Sequence, residues 1–260
     1  MNTMDSNFTE KKLHNPVWNP SLLALTPPVG FVFSSSHLLA DTIYTNAAIV
    51  IPFGIDTIAL NVSSLQTNDV ERHISAVTPN AIPDGYFGQS QEMYLLSVAH
   101  SLSESLLIGL SARYHHRRID RFDDQLYTAD IGLAYIWGPV RAGTLFRNVW
   151  SYKTGDTQDD ANYSIEMGLS LRLLEELTLA LDADQLNRPN PNLYAGIEYD
   201  VIGLRKTGGA VSLRAGSNAI ENSVGLGIML VGFEINYAYI MKSMENQHRF
   251  SLNINLGDKP

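Results

Sequence analysis

From Phe233 to Leu256 the chain reads FEINYAYIM, a polar KSMENQ, then RFSLNINL, and this alternation constrains the fold more than any other stretch. Phe233, Ile235, Tyr237 and Tyr239 take turns with Glu234, Asn236 and Ala238, while Phe250, Leu252, Ile254 and Leu256 take turns with Ser251, Asn253 and Asn255. A period of two sends successive side chains to opposite faces, so the two runs read as a hairpin with one apolar, aromatic face and one polar face. Each strand therefore separates an oily medium from a polar one. In a sandwich the polar face meets bulk water. In a membrane barrel it meets the lumen, and the apolar face meets lipid.

Alternation and turn residues place about fourteen strands of the length that a tilted membrane strand needs. They fall near residues 28–36, 41–52, 55–67, 91–102, 105–119, 124–137 and 139–150, then 160–174, 176–186, 191–202, 208–217, 220–230, 232–241 and 247–256. Short connections (PFGI, LSES, WGPV, LLEEL, LVGF) take turns with longer ones (68–90, 118–125, 151–162, 183–192, 242–247). Short turns on one side and longer loops on the other are the pattern of outer-membrane barrels, and a sandwich has no reason to sort its loops in this way. The expected fold class is all-β, a transmembrane antiparallel up-and-down β-barrel. A soluble up-and-down barrel that binds lipid is the remaining alternative. Aromatic residues agree: Tyr135 and Trp137 close a strand beside a short turn, Trp150 and Tyr152 sit at the opposite end, and such rings prefer the two membrane interfaces.

Composition excludes several classes. No run approaches the ~20 apolar residues of a transmembrane helix. There is no cysteine, so disulfides, thiolate catalysis and zinc–thiolate sites are absent. The formal net charge of -9 argues against nucleic acid, which needs a concentrated basic surface. The opening MNTMDSNFTEKKLHN lacks the basic and apolar regions of a secretory signal, which is expected to have been removed or to lie upstream.

With the apolar parity facing lipid, Arg113, His115 and Arg117 point inward beside Thr128 and Asp130, and Arg113 falls opposite Asp130. By the same count Arg141 and Arg147 face Glu166 and Arg172. Asp182 and Asp184 adjoin Glu198 and Asp200, Glu198 lies near Arg214, and Glu234 lies near Arg249. The lumen is thus expected to hold a network of mixed sign. Mixed signs cancel the field that a selective pore needs, which favours paired charges that close a wide lumen around an inserted segment over a selectivity lining. Gly225 and Gly227 share one parity and give clearance for a bulky lumen element. Leu107, Ile136 and Met229 are inward apolar residues that could begin a pocket.

His115 and His116 point to opposite faces and cannot converge on one ion, so no metal site is expected. The acid pairs Asp123-Asp124 and Asp159-Asp160 sit in loops without EF-hand spacing. No GxSxG, HExxH, P-loop or dinucleotide fingerprint occurs, so the expectation is a non-enzymatic chain without cofactor.

The segment HNPVWNPSLLALTPPVGFVFSSS, residues 14–36, is similar to the WNPAGLAL-type opening of the PorV/PorQ proteins, outer-membrane barrels of the type IX secretion system related in fold to the FadL fatty-acid transporters. The ARYHHRRIDRF, LTLALDADQ and NLYAGIEY strands and the closing hairpin fit the same pattern. The resemblance implies a fourteen-stranded barrel of a Gram-negative bacterium, with residues 1–27 as an N-terminal segment and hatch, 28–257 as the barrel and 258–260 as a tail. It also implies that Asn15, Pro16, Trp18, Asn19, Pro20 and Leu23 fold into the lumen as the hatch. The chain departs from the family where Ser21 and Leu22 follow Pro20 in place of Ala-Gly, and where it closes on LGDKP without a terminal aromatic. The function so implied is that of a component or partner of a secretion apparatus, surrounded by outer-membrane lipid and binding cargo domains or translocon through its outer loops. Tyr86 and Phe87, on the expected loop AIPDGYFGQS, are the candidate anchors. The alternative is a FadL-like transporter of hydrophobic small molecules, which needs an apolar pocket and a gap in the wall.

Overall fold

A computed structural model of the chain describes residues 19–25, 29–38, 41–72, 85–156, 161–201, 209–243 and 245–256. Fourteen strands run in order: β1 Val29–Leu38, β2 Thr42–Phe53, β3 Asp56–Arg72, β4 Gly85–Ser101, β5 Leu106–Ile119, β6 Phe122–Trp137 and β7 Val140–Gly155 form the first half. The second half is β8 Ser164–Arg172, β9 Leu177–Asp184, β10 Asn192–Asp200, β11 Ala210–Asn218, β12 Glu221–Leu230, β13 Phe233–Lys242 and β14 Gln247–Leu256. Every strand pairs antiparallel with its sequence neighbours, and β1 pairs with β14 from Val29–Leu256 to His37–His248, so the sheet closes on itself. The transmembrane barrel expected from alternation is the fold observed.

The two faces are inverted relative to a water-soluble protein. Phe33, Leu60, Leu96, Leu110, Leu181 and Ile235 lie exposed on the outside, while Asn61, Ser97, Ser111, Glu198, Ser212 and Glu234 are buried on the inside. An apolar exterior of this extent belongs in lipid. On the outer wall Tyr94, Tyr114, Tyr127 and Tyr152 are cross-strand partners and form a belt with ring centroids 6.1, 5.0 and 6.3 Å apart. Exposed Phe53, Trp137 and Phe233 mark the opposite rim beside the short turns. Two aromatic levels separated by an apolar band are the interfaces of a membrane barrel.

Three connections differ from the sequence reading. Residues 68–90 are not all loop: β3 and β4 continue their ladder beyond a bulge at Thr67/Val70 to Arg72–Gly85. Residues 118–125 are a tight hairpin, because Asp120 adopts a positive φ of 54° and ion pairs Arg117–Asp124 (2.9 Å) and His116–Asp123 (2.8 Å) hold the flanking charges in register. The connection after Asp200 lies on the short-turn side yet reaches Ala210, so the sorting of loops by side is not strict.

Candidate functional site

The lumen is built from side chains that the alternation sends inward, and the 3₁₀ segment Pro20–Leu25 lies against its wall. Leu23 is fully buried against Val50, Ala59 and Ala99, and Leu22 packs on Leu107 and Ala134. The wall is notched to receive this segment. Gly109 and Gly132 are cross-strand partners, and a Cβ on either would come within 2.3 Å of Pro20 and Ser21 or 2.1 Å of the Asn19 amide oxygen. Asn19 bridges wall and segment: its Nδ2 donates to the Thr144 carbonyl at 3.4 Å, and its Oδ1 accepts from the Ser21 amide and hydroxyl at 3.1 and 2.7 Å. Among the residues given to a hatch, Asn19, Pro20 and Leu23 are therefore buried on the inner wall, while Asn15, Pro16 and Trp18 lie outside the described residues.

The charge network is real, but its partners are partly rearranged. Arg113 donates to Asp130 at 2.6 Å and Arg147 to Glu166 at 2.7 Å, each pair two residues off the expected register, since the ladder sets Arg113 opposite Thr128 and Arg147 opposite Ser164. Arg214 donates to Glu198 at 2.5 Å, to Asn236 at 2.6 Å and to Glu234 at 3.3 Å, reaching over β12 to do so. Gly227 makes this reach possible, since a Cβ there would stand 3.1 Å from Arg214 Nη1 and 2.8 Å from Asn236 Oδ1. The bulky lumen element expected beside the glycines is thus an arginine side chain. Glu234 does not meet Arg249: it stands opposite Asn253, which donates to it at 3.2 Å, and Arg249 donates instead to Ser36 at 3.0 Å. Arg141 and Arg172 stand opposite Ser170 and Thr178 and not beside Glu166. Asp182 and Asp184 do not adjoin Glu198 and Asp200, because the ladder puts Asp182 opposite Tyr194 and Asp184 opposite Asn192, and Asp184 accepts from Asn192 and Tyr194 at 2.7 and 3.0 Å.

Among the described residues the wall is interrupted between β7 and β8 toward its outer end. The β6–β7 ladder jumps from Ala129–Trp150 to Ile131–Phe146, so β7 carries extra residues around Asn148, which has a positive φ of 55°. The Asn148 amide leaves the ladder and donates to Asp130 Oδ1 at 2.8 Å, while Asp130 Oδ2 holds Arg113. Beyond this point β7 stays paired with β6, from Ala129–Trp150 to Asp124–Gly155, but parts from β8. Its pairing with β8 covers only Val140–Leu171 to Arg147–Ser164, and among the described residues no strand pairs with Val149–Gly155 on that side. A hydrogen bond from Asn148 Nδ2 to the Asn162 carbonyl at 2.9 Å reaches the chain ahead of β8. Trp150 and Tyr152 stand exposed on the lipid side of this break, and Tyr152 belongs to the aromatic belt, so the break sits just below the outer interface. Asn148 carried no signal in a reading by alternation, because a bulge inserts residues without changing their type.

Apolar residues inside are more numerous than Leu107, Ile136 and Met229. The inward parity also carries Leu65, Met93 and Leu126 nearer the outer rim, with His115 standing between Met93 and Leu126 in the ladder. His116 points outward to Asp123, so the two histidines do face opposite sides. Tyr86 and Phe87 lie within β4, paired with Glu71 and Val70, and not on a loop.

A closed fourteen-stranded antiparallel barrel with an apolar exterior, two aromatic levels and a polar lumen defines a barrel of the outer-membrane type. No protein-family model and no curated protein matches the sequence. Among solved structures, the fold is similar to the toluene transporter TbuX of Ralstonia pickettii, with a TM-score of 0.61, 10% identity and 93% of each chain covered. It is similar also to the toluene transporter TodX of Pseudomonas putida (TM-score 0.59, 11% identity, 91% and 90% covered). A FadL homologue of Pseudomonas aeruginosa gives a TM-score of 0.59 at 8% identity, with 98% and 96% covered. At these identities the likeness is one of fold: the chain shares its barrel fold with these two transporters and the FadL homologue.

Proposed function

We propose that the chain is a non-enzymatic outer-membrane barrel that passes hydrophobic small molecules between its lumen and the outer leaflet of a Gram-negative bacterium. Fold alone does not carry a function. The observation that carries this one is the wall break at Asn148, where β7 loses β8 just below the tyrosine belt. An apolar solute that left the lumen there would enter lipid without crossing the aqueous rim. Leu65, Met93 and Leu126 offer it apolar contact inside, and the segment Pro20–Leu25 lies against the inner wall of β3 to β6 nearer the short-turn side. The fold's likeness to two toluene transporters and a FadL homologue supports the same reading. The test is extraction of the purified, detergent-solubilised barrel followed by mass spectrometry. A stoichiometric apolar ligand is expected, and a barrel that stays empty after incubation with aromatic hydrocarbons and fatty acids would remove the proposal.

A second reading, service to a protein-secretion apparatus, has one observation in its favour: Tyr86 is 62% exposed on the part of β4 that rises above the membrane. Exposed aromatics anchor protein partners. Co-purification of a secretion component that is lost in the Tyr86→Ala variant would support this reading, and recovery indifferent to Tyr86 would end it.

A further inference from the structure

A cavity of about 410 Å³ lies at the outer end of β3, β4 and β5, away from the wall break, with Phe87 and Gln89 of the inward parity and Gln66, Ser90 and Arg118 of the outward parity among its lining. Its lining includes Gln66, Asn68, Gln89, Ser90, Arg118 and Asp120, a set of amides and a hydroxyl with one cation and one acid. Gln66, Ser90 and Arg118 are successive cross-strand partners on β3, β4 and β5, so they form one row. They share the outward parity of Tyr94 and Tyr114. The groove beside them exists because the β3 bulge at Thr67/Val70 swings Asn68 away from the ladder, and because Gly88 leaves the space open.

Height decides what can occupy it. Arg118 is four residues beyond Tyr114, about 13 Å along the strand and, at a tilt of about 40°, about 10 Å above the aromatic belt. That places the groove in the headgroup layer of the outer leaflet, above the acyl chains. Asp123, the cross-strand partner of Arg118, is engaged with His116 at 2.8 Å, and Glu92 accepts from the Tyr94 hydroxyl at 3.4 Å, while Asp120 shares the groove with Arg118. Among the described residues Arg118 makes no ion pair. A guanidinium with planar amides around it matches a phosphorylated sugar, because arginine takes phosphate through two N–H groups and amides take ring hydroxyls.

We propose that this groove binds the phosphorylated saccharide headgroup of an outer-leaflet glycolipid. Arg118 holds the phosphate, Gln66, Asn68 and Ser90 bond the sugar, and the tyrosine belt below contacts the acyl chains.

Native mass spectrometry of the full chain in detergent, incubated with purified rough lipopolysaccharide or with phosphatidylglycerol, tests this. The expected result is one glycolipid retained per barrel, with phosphatidylglycerol retained at least about tenfold less. Arg118→Glu should weaken retention by about tenfold or more through loss of a charge-assisted contact. Gly88→Leu should do the same by filling the groove, since its Cβ has ordinary clearance, 3.4 Å from the Thr67 carbonyl. Both variants are to keep the compact unheated gel band of the parent, so that binding is read on folded barrels. Equal retention of the two lipids, or glycolipid retention unchanged in both variants, would overturn the proposal.

Discussion

Arg214 shows how one residue organises the narrow-stranded half of the lumen. Its side chain is almost fully buried and donates to Glu198, Asn236 and Glu234, on three sides of a single guanidinium. Removing a partner from such a group leaves the others as buried, uncompensated charge, which costs about 3–5 kcal/mol. Arg214→Met is therefore expected to lower barrel stability by about that amount, measured as the urea midpoint of refolded protein in lipid vesicles. Adding Glu198→Gln and Glu234→Gln should recover most of the loss, because neutral amides can bond each other. An unchanged midpoint in Arg214→Met would mean that water already satisfies the two acids. The pair with Glu198 was legible in the sequence, because both residues have inward parity and adjacent strands put them opposite one another. The reach to Glu234 was not, since it depends on the missing side chain of Gly227 one strand over. The notch of Gly109 and Gly132 was hidden for the same reason: a glycine announces room, and only the register says what fills it.

At the scale of elements, strand identities followed from alternation, while strand lengths did not. Polar residues that read as loop at 68–72, 85–90 and 151–155 continue the ladder, because a strand above the membrane alternates polar with polar and loses the contrast that marks it. As a result the rim is uneven: β3 to β7 reach far past the aromatic belt, while β8, β9 and β10 have only nine, eight and nine residues. The break in the wall falls where the tall side meets the low one, between β7 and β8. Closing that seam should block the proposed exit. The chain has no cysteine, so Asn148→Cys with Asn162→Cys introduces one unique disulfide across a pair of residues already joined by a hydrogen bond. Oxidised vesicles of the double variant are expected to take up a fluorescent fatty acid severalfold more slowly than reduced ones, with recovery on adding dithiothreitol. Uptake indifferent to the redox state would place the exit elsewhere.

The whole molecule has an interior that is polar and an exterior that is not, and this inversion leaves it one habitat. Phe53, Trp137 and Val231 are each more than two-thirds exposed at one rim, and the band above them carries Phe33, Leu60, Leu96, Leu110, Leu181, Leu213 and Ile235 around the cylinder. In water such a surface would associate, since soluble monomers rarely expose apolar patches above a few hundred Å². In lipid the same surface is solvated, and the ladder that runs round the closed barrel pairs the strand backbones with one another. Expressed behind a secretion signal, it is expected to fractionate with the outer membrane and to require detergent for extraction. Unheated it should migrate on gels as a compact band, and boiling should slow it by opening the closed ladder. A folded protein recovered from the soluble fraction without detergent would contradict the assignment of the apolar parity to lipid. The lumen charges, the wall break and the glycolipid groove would then have to be reinterpreted from that parity upward, because each was located by which face of its strand it occupies.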